Sequence, residues 1–256
     1  MTGTGAAPVT GGQAPAGTCP FTVDRPIMRQ RWERLAFLHW AFDPAAVQRL
    51  LPDGLTAETW DGAAWVGLVP FFMRVASPDG RRVPWVSNFC ETNVRTYVRD
   101  ESGRSGIWFF SLDAARLGAV LVARSGPYRL PYFWSAMRLG QRGDDVAYLT
   151  RRRWPRPAPA PSRVSSRIRV TVGDPIPAGE VTEFEHFLTA RWRLFSVTAG
   201  RRTSARACHP RWPLHRATAT VVDDQLMTAA GLPVPDGEPL VHWSPGVDVA
   251  IGRPEK

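Results

Sequence analysis

The stretch ETNVRTYVR at residues 91–99 has the clearest alternation of side-chain types in this chain of 256 residues. Charged or hydrogen-bonding residues occupy every second position from Glu91 onward, and Thr and Val fill the positions between them. Because successive side chains of a β-strand point to opposite faces, this period of two predicts a strand with one polar face. A loop at 100–106 and the apolar run 107–112 predict the second strand of a β-hairpin.

The polar face of this predicted strand has two interpretations. If the strand lines the inside of a barrel, Glu91, Asn93 and Arg95 point inward. A buried Glu beside an Arg is then either paired or poised for proton transfer. In the alternative, the same face meets solvent, where alternating charges are common on antiparallel sheets.

Working outward from this hairpin, the sequence predicts many short strands and a few helices. Helices are predicted at 43–51, at 114–124 and from Thr182, with strands at 65–75, 131–139, 146–153 and 164–172. The predicted N-caps of the three helices are Asp43, Asp113 and Thr182. Strands that do not alternate with helices predict an α+β fold built on an antiparallel sheet or closed barrel. We expect residues 1–20 to form a flexible tail and residues 21–256 to form one domain.

The charge of the chain is positive and unevenly distributed. The formal net charge is +9, and 31 of the 32 cationic residues are Arg. Segment 151–216 holds fourteen Arg against four acidic residues, a net charge of +10, so the rest of the chain has a net charge of −1. Such a segment can bind phosphate backbones. However, its cations are scattered and no nucleic-acid motif accompanies them, which favours a solvated surface.

The remaining composition excludes several classes of protein. The three Cys are widely spaced without a CxxC pair, which predicts reduced thiols rather than a disulfide framework. There is no signal peptide and no apolar stretch long enough to span a membrane, so we expect a cytoplasmic protein. Catalytic and cofactor signatures such as GxSxG, HExxH, the P-loop and GxGxxG are missing. We expect no cofactor and no metal, since Cys208, His209 and His215 are too few for a metal site.

Six short motifs resemble the YqjF-like family of uncharacterised bacterial proteins. They are MRQRW at 28–32, LAFLHW at 35–40, WVGLVPF at 65–71, SNFCETNVRTY at 87–97, FSLD at 110–113 and SPGVDV at 244–249. The resemblance covers roughly residues 25–252. It implies an acetoacetate decarboxylase-like fold, in which a cone-like antiparallel barrel with flanking helices encloses a pocket.

The resemblance also allows the decarboxylase chemistry to be considered. That chemistry needs a Lys amine of lowered pKa, which forms a Schiff base with the substrate. The family's Lys-Lys pair aligns with Ala114 and Ala115, and Glu91 aligns with the decarboxylase glutamate. Lys256 at the C-terminus is the only Lys in the chain. We therefore expect the fold without Schiff-base decarboxylation.

Three functional hypotheses follow, and the oligomeric state stays open. In the first, an internal pocket binds a small organic anion, with Glu91 as the candidate catalytic acid or base. Its candidate ligand-binding residues are Asn93, Arg95, Trp108, Asp113 and Arg116. In the second, segment 151–216 binds nucleic acid or an acidic partner. In the third, the chain is a non-catalytic structural relative whose core is filled by Trp108, Phe110 and Trp134.

Overall fold

The computed structural model describes residues 18–81, 87–126, 128–155, 164–198 and 200–255, and these form one sheet with four short helices. The strands are β1 (Met28–Phe42), β2 (Leu55–Ala57), β3 (Thr59–Trp60), β4 (Ala63–Ala76), β5 (Asn88–Asp100), β6 (Ser105–Ala114), β7 (Tyr132–Arg142), β8 (Asp145–Trp154), β9 (Ser165–Pro175), β10 (Arg193–Thr198), β11 (Arg201–Cys208), β12 (His215–Asp224) and β13 (Leu240–Glu255). The helices are α1 (Pro44–Gln48), α2 (Leu117–Ser125), α3 (Glu183–Thr189) and α4 (Leu226–Ala229).

The sheet closes on itself twice. Pairing runs from β13 through β1, β4, β5, β6, β10 and β11 and returns to β13, which completes a ring of seven strands. A second path leaves β6 through β7, β8, β9 and β12 and also returns to β13, which makes a ring of nine strands. Strands β13, β1, β4, β5 and β6 belong to both rings. The predicted α+β fold with a cone-like sheet is confirmed, although β6 pairs in parallel with β7 and β10.

The shared strands bury side chains on both faces. Leu35 and Phe37 of β1 belong to the apolar cluster of the seven-strand ring, whereas Ala36 and Leu38 belong to that of the nine-strand ring. A strand that is apolar on both faces shows no alternation in sequence. This is why the sequence pattern predicted no strand at 28–42.

The predicted helix caps were correct in two of three cases. The Asp43 side chain accepts a hydrogen bond from the Ala45 amide at 3.0 Å at the start of α1. Thr182 and Glu185 form a reciprocal capping box at the start of α3. The prediction that Asp113 caps α2 was wrong, because Asp113 lies within β6 and the helix begins only at Leu117.

Part of the predicted tail can be described. Residues 1–17 lie outside the described residues, so the prediction of a flexible tail is not tested there. Residues 18–27 precede β1 and contain no helix or strand. Within the described ranges, none of the helices is long and apolar enough to cross a bilayer.

The pairing of β1 with β13 depends on a close backbone approach at Gly246. This residue lies opposite Glu33 and has a φ of 130°. A Cβ atom added at Gly246 would lie 2.0 Å from the Trp32 carbonyl oxygen. Only glycine fits here, since both the backbone angle and the available space exclude a side chain.

Gly246→Ala is expected to lower the free energy of unfolding by about 3 kcal/mol or more, because the clash is with backbone that cannot move aside. The matched control is Gly62→Ala. Gly62 also has a positive φ, of 76°, but a Cβ there meets nothing within 4 Å. It should therefore cost only about 1 kcal/mol. Urea denaturation measures both values, and equal losses would contradict the close approach at Gly246.

Candidate functional site

The polar face of β5 lies inside the seven-strand ring. Glu91, Asn93, Arg95 and Tyr97 are 2%, 6%, 4% and 0% exposed. In the ladder with β4, Glu91 pairs with Phe71 and Asn93 with Val69. The alternative in which this face meets solvent is therefore excluded by the structure.

Glu91 is a buried carboxyl held by a tyrosine. The Tyr132 hydroxyl, at the start of β7, donates a hydrogen bond to Glu91 Oε2 at 3.0 Å. Burial raises the pKa of Glu91 to about 8, although hydrogen bonds from Tyr132 and Asn93 act in the opposite direction. Glu91 is thus mainly protonated at neutral pH and can donate a proton.

Arg95 is a buried guanidinium without a carboxylate partner. Among the described residues, no carboxylate oxygen lies within 4.0 Å of its nitrogens, and its Nε has no hydrogen-bond partner. Its Nη2 donates to the Leu188 carbonyl at 3.4 Å, and the guanidinium carbon lies 5.5 Å from the centre of the Phe37 ring. A buried cation is costly unless it is paired, so Arg95 is suited to receive an anion.

His39 and Tyr97 extend the polar face toward α3. The His39 Nε2 atom and the Tyr97 hydroxyl are 2.7 Å apart, and the hydroxyl donates to the Leu188 carbonyl. This arrangement assigns the proton of His39 to Nε2 and leaves Nδ1 as an acceptor, without a partner among the described residues. Burial, with the charge of Arg95, holds the pKa of His39 well below its usual range.

The C-terminal end of α3 supplies the hydrogen-bond acceptors for this part of the ring. The Leu188 carbonyl accepts from Arg95 and Tyr97, and the Thr189 carbonyl accepts from the Trp212 indole at 2.9 Å. The Phe187 carbonyl accepts from Arg191 Nε at 3.0 Å. The last carbonyls of a helix have no partners within it and carry partial negative charge, so they suit these donors.

A second buried arginine, Arg191, has a carboxylate partner of the kind that Arg95 lacks within the described ranges. Its Nη1 lies 2.9 Å from Glu58 Oε2, and both side chains are more than nine-tenths buried. Glu58 also pairs with Arg99 at 2.6 Å. Arg191 and Glu58 were not predicted as a pair, because no local pattern in the sequence signals residues that are 133 positions apart.

An aromatic wall faces these polar groups. Trp32 stacks on Trp212 with 5.9 Å between ring centres, and Phe37 meets Trp212 edge-on at 5.1 Å. The His209 ring packs between Trp32 and Trp192, and burial lowers its pKa to about 4. The interior of the seven-strand ring is therefore mainly apolar, with a few fixed polar groups.

The structure does not bring Asp113 together with Glu91. Asp113 pairs across the ladder with Thr92, so it points into the nine-strand ring. There it binds Arg152 through two hydrogen bonds of 2.6 and 3.0 Å and accepts a third from Ser135 at 2.6 Å. These hydrogen bonds from Arg152 and Ser135 occupy both carboxylate oxygens of Asp113, so Asp113 fits a structural role better than the predicted ligand-binding role.

Arg116 and Trp108 also lie apart from Glu91. Arg116 is exposed, and its Nε donates to the Asn88 carbonyl at 3.4 Å. Trp108 is half-buried and, with Phe110, lines a cavity of about 290 Å³ whose lining does not include Glu91. Two further cavities, of about 280 and 510 Å³, are lined by other residues than Glu91, Asn93 or Arg95.

The structure also locates the three aromatic residues of the core-filling hypothesis and the residues Cys208, His209 and His215 that were considered for a metal site. Trp108, Phe110 and Trp134 are each half-buried; Trp134 packs against the apolar cluster of the seven-strand ring and Phe110 against that of the nine-strand ring. Within the described residues, no three His, Cys, Asp or Glu side chains are grouped as a metal site requires. The His209 ring contacts the Pro210 and Arg191 carbonyls instead.

Comparison with known proteins identifies the family. Residues 29–248 match the family DUF2071, whose description is "uncharacterized conserved protein". The chain belongs to this family. It is also 32% identical, over 224 residues, to the uncharacterized protein YqjF of Bacillus subtilis, which covers 87% of this chain and 89% of the relative. The resemblance to YqjF-like proteins is confirmed.

Solved structures show the same fold. The family member described here is similar to acetoacetate decarboxylase from Legionella pneumophila, with a TM-score of 0.62, 13% identity and 98% of both chains covered. An acetoacetate decarboxylase-like enzyme from Sphingomonas wittichii RW1 has a TM-score of 0.60 at 16% identity, covering 93% of this chain and 96% of its own. The enduracididine biosynthesis enzyme MppR, complexed with pyruvate, has a TM-score of 0.61 at 15% identity, covering 90% of both chains.

The raised pKa of Glu91 predicts a pH-dependent stability. The folded chain holds this proton up to about pH 8, whereas the unfolded chain releases it near 4.5. The free energy of unfolding of the wild type should therefore fall as pH rises between these values. Glu91→Gln has no titrating group at this position, so its free energy of unfolding should not show this fall. The stability of the variant relative to wild type should rise with a slope approaching about 1.4 kcal/mol per pH unit. Urea denaturation from pH 5 to 8 measures this slope, and a flat difference would contradict the assignment.

The two buried arginines predict opposite effects on stability. Arg95→Met removes a buried charge that has no carboxylate, so it should raise the free energy of unfolding by roughly 1 to 3 kcal/mol. Arg191→Met leaves Glu58 without its buried partner and should lower the free energy of unfolding by roughly 3 kcal/mol. Thermal and urea denaturation of both variants test this. A loss at Arg95 as large as that at Arg191 would show that Arg95 has a structural anion partner.

Proposed function

We propose that this protein binds a small organic anion inside the seven-strand ring. The observation that carries the proposal is Arg95, a buried guanidinium with no carboxylate partner in the described residues and a free Nε. A guanidinium presents a planar set of donors that matches a carboxylate. The bound anion would act as the carboxylate partner of Arg95.

Two further buried atoms support a polar ligand at this face. Asn93 Oδ1 and His39 Nδ1 have no hydrogen-bond partner among the described residues, and both residues are more than nine-tenths buried. Buried polar atoms are nearly always hydrogen-bonded in folded proteins. Such atoms on one face, beside an unpaired cation, are the pattern expected for a ligand site.

Aromatic residues surround the polar face. Phe37, Phe71 and Trp212 belong to the apolar cluster of the seven-strand ring, and Phe37 meets Trp212 edge-on at 5.1 Å. One neighbour of this fold, MppR, is complexed with pyruvate, a small carboxylate. This supports the ligand class proposed here.

Glu91 supplies acid–base chemistry in this proposal. Its carboxyl is neutral near pH 7, so it can hydrogen-bond to a ligand oxygen and transfer a proton to it. The Tyr132 hydroxyl holds Glu91 Oε2 in place. Proton transfer of this kind suits a lyase, isomerase or hydrolase reaction.

Schiff-base decarboxylation is not part of the proposal. Ala114, which aligns with the family's lysine pair, is buried directly opposite Glu91 in the β5–β6 ladder. A methyl group there cannot form an imine, and the only Lys of the chain is Lys256. In this proposal, Ala114 occupies the position of the catalytic lysine and provides no amine inside the seven-strand ring.

The ligand proposal is tested by thermal stabilisation with small carboxylates, including pyruvate, acetoacetate and phenylpyruvate, at millimolar concentration. At least one should raise the melting temperature of the wild type. Arg95→Met should abolish this rise, because the variant lacks the cation. Glu91→Gln should weaken it.

Arg169→Ala is the matched control, since Arg169 is an exposed arginine of strand β9. This variant should keep the full ligand-induced rise. The proposal fails if no carboxylate raises the melting temperature of the wild type. It also fails if a stabilising carboxylate raises the melting temperatures of Arg95→Met and Glu91→Gln as much as that of the wild type.

A second candidate is an acidic partner or nucleic acid bound by segment 151–216. Arg138, Arg151 and Arg167 line the cavity of about 510 Å³ formed by residues of β7, β8, β9 and β12. Among the described residues of this lining, Asp223 is the one that is acidic. Other arginines of the segment are used internally, since Arg152 is buried in a pair with Asp113.

This candidate predicts binding that weakens steeply with salt, because bound counterions are released. A gel shift with short duplex DNA at low ionic strength measures it, and Arg138→Ala with Arg151→Ala should reduce the affinity. Failure to shift at low salt removes nucleic acid as a partner.

A further inference from the structure

Residues 18–27, here called the N-terminal strap, lie against the strands that close the seven-strand ring. The Ile27 amide donates to the Ile251 carbonyl of β13 at 2.8 Å. The ring of Phe21 lies 4.9 Å from the guanidinium carbon of Arg206 on β11 and 6.0 Å from that of Arg193 on β10. The strap therefore contacts all three strands around the β11–β13 closure.

The strap brings two cysteines together. The Cys19 thiol donates to the Phe21 carbonyl at 3.0 Å, and the Cys208 thiol at the end of β11 donates to the same oxygen at 3.3 Å. Because both sulfur atoms are hydrogen-bonded to the same oxygen at these distances, they are at most 6.3 Å apart. Burial and the adjacent Cys19 thiol raise the pKa of Cys208, which agrees with this placement.

This pair was not visible in the sequence. Its members are 189 positions apart, and the spacing of the three cysteines predicted only free thiols. The structure leaves both thiols free and half-buried, and Cys90 lies on β5, away from the strap. Cys90 is therefore a built-in control.

We propose that Cys19 and Cys208 form a reversible intramolecular disulfide that ties the N-terminal strap to the end of β11. Disulfide formation brings the sulfur atoms from at most 6.3 Å apart to the bond length of about 2.05 Å, through side-chain rotation and movement of the strap. The strap can make this shift more readily than a strand can, because it has no ladder hydrogen bonds before Ile27.

The oxidant is a low-molecular-weight disulfide such as oxidised glutathione. One cysteine thiolate attacks a glutathione sulfur, which gives a mixed disulfide and releases one reduced glutathione. The second cysteine thiolate attacks the protein sulfur of that mixed disulfide and releases the other. Two protein thiols lose their protons, one disulfide bond forms, and one oxidised glutathione becomes two reduced molecules.

The disulfide would act next to the aromatic wall. Cys208 immediately precedes His209, whose ring contacts Trp32, Trp212 and the Arg191 carbonyl. Fixing the strap to Cys208 therefore restrains the backbone at this wall. It also joins two distant parts of the chain, which restricts the unfolded state.

The test uses the full chain, folded and reduced, incubated with oxidised glutathione and then blocked with N-ethylmaleimide. Trypsin places Cys208 in peptide 207–211 and Cys90 in peptide 83–95. We expect mass spectrometry to find peptide 207–211 joined to the peptide that contains Cys19, two hydrogens lighter than their sum, and separated by dithiothreitol. Cys90→Ser should give the same linked peptide.

Thermal denaturation provides the second measurement. Oxidation should raise the melting temperature of the wild type and of Cys90→Ser by several degrees, and should not raise that of Cys19→Ser. The proposal is overturned if peptide 207–211 is recovered only in blocked or glutathione-bound form. A link from Cys208 to Cys90, or a link only between two chains, overturns it as well.

Discussion

Strands β13, β1, β4, β5 and β6 belong to two closed rings, and this shared wall is the constraint on which the rest of the structure depends. Along residues 91–98 of β5 both faces of the wall are buried, so a polar side chain there cannot be hydrated by bulk water. Burying such a group without a partner costs free energy, and burying a charge costs much more. Each buried polar residue of the wall must therefore find its partner inside the protein or bind one from outside.

The nine-strand ring meets this constraint completely at its central carboxylate. Asp113 is held by Arg152 and Ser135, and Thr92 contacts Thr150 at 3.1 Å. In the seven-strand ring, only some of the described buried polar residues have a partner for every polar atom. Arg191 has Glu58, and the last carbonyls of α3 satisfy further donors, yet Arg95, Asn93 and His39 each keep an atom without a partner among the described residues. The two faces of the shared wall thus differ: on one, Asp113 has its partners, and on the other, Arg95, Asn93 and His39 keep atoms without a partner among the described residues.

The extent to which sequence predicts this arrangement differs between residues. Alternation at 91–99 predicted β5 and placed Glu91, Asn93 and Arg95 on one face, because the period of two is a local property. Asp113 was misplaced, since its direction depends on its register against Thr92 and not on its own neighbours. Strand β1 was missed because it is apolar on both faces.

Contacts between distant segments could not be predicted at all. Neither the pairing of Arg191 with Glu58 nor the carbonyl of Leu188 above Arg95 has a signal in local sequence. Family resemblance predicted the α+β fold correctly, since the fold is shared at 13 to 16% identity with acetoacetate decarboxylase-like structures. It could not indicate how the polar residues are partitioned between the two rings.

Closure of the seven-strand ring has a consequence for traffic between the interior and the solvent. In an open sheet an outermost strand can peel away and lose one line of hydrogen bonds, but here every strand of the ring is bonded on two sides. Parting any two neighbours would also strain the wall that the rings have in common. A ligand of the kind proposed would therefore enter and leave along the axis of the ring, because passage through its side would break the hydrogen bonds between two strands.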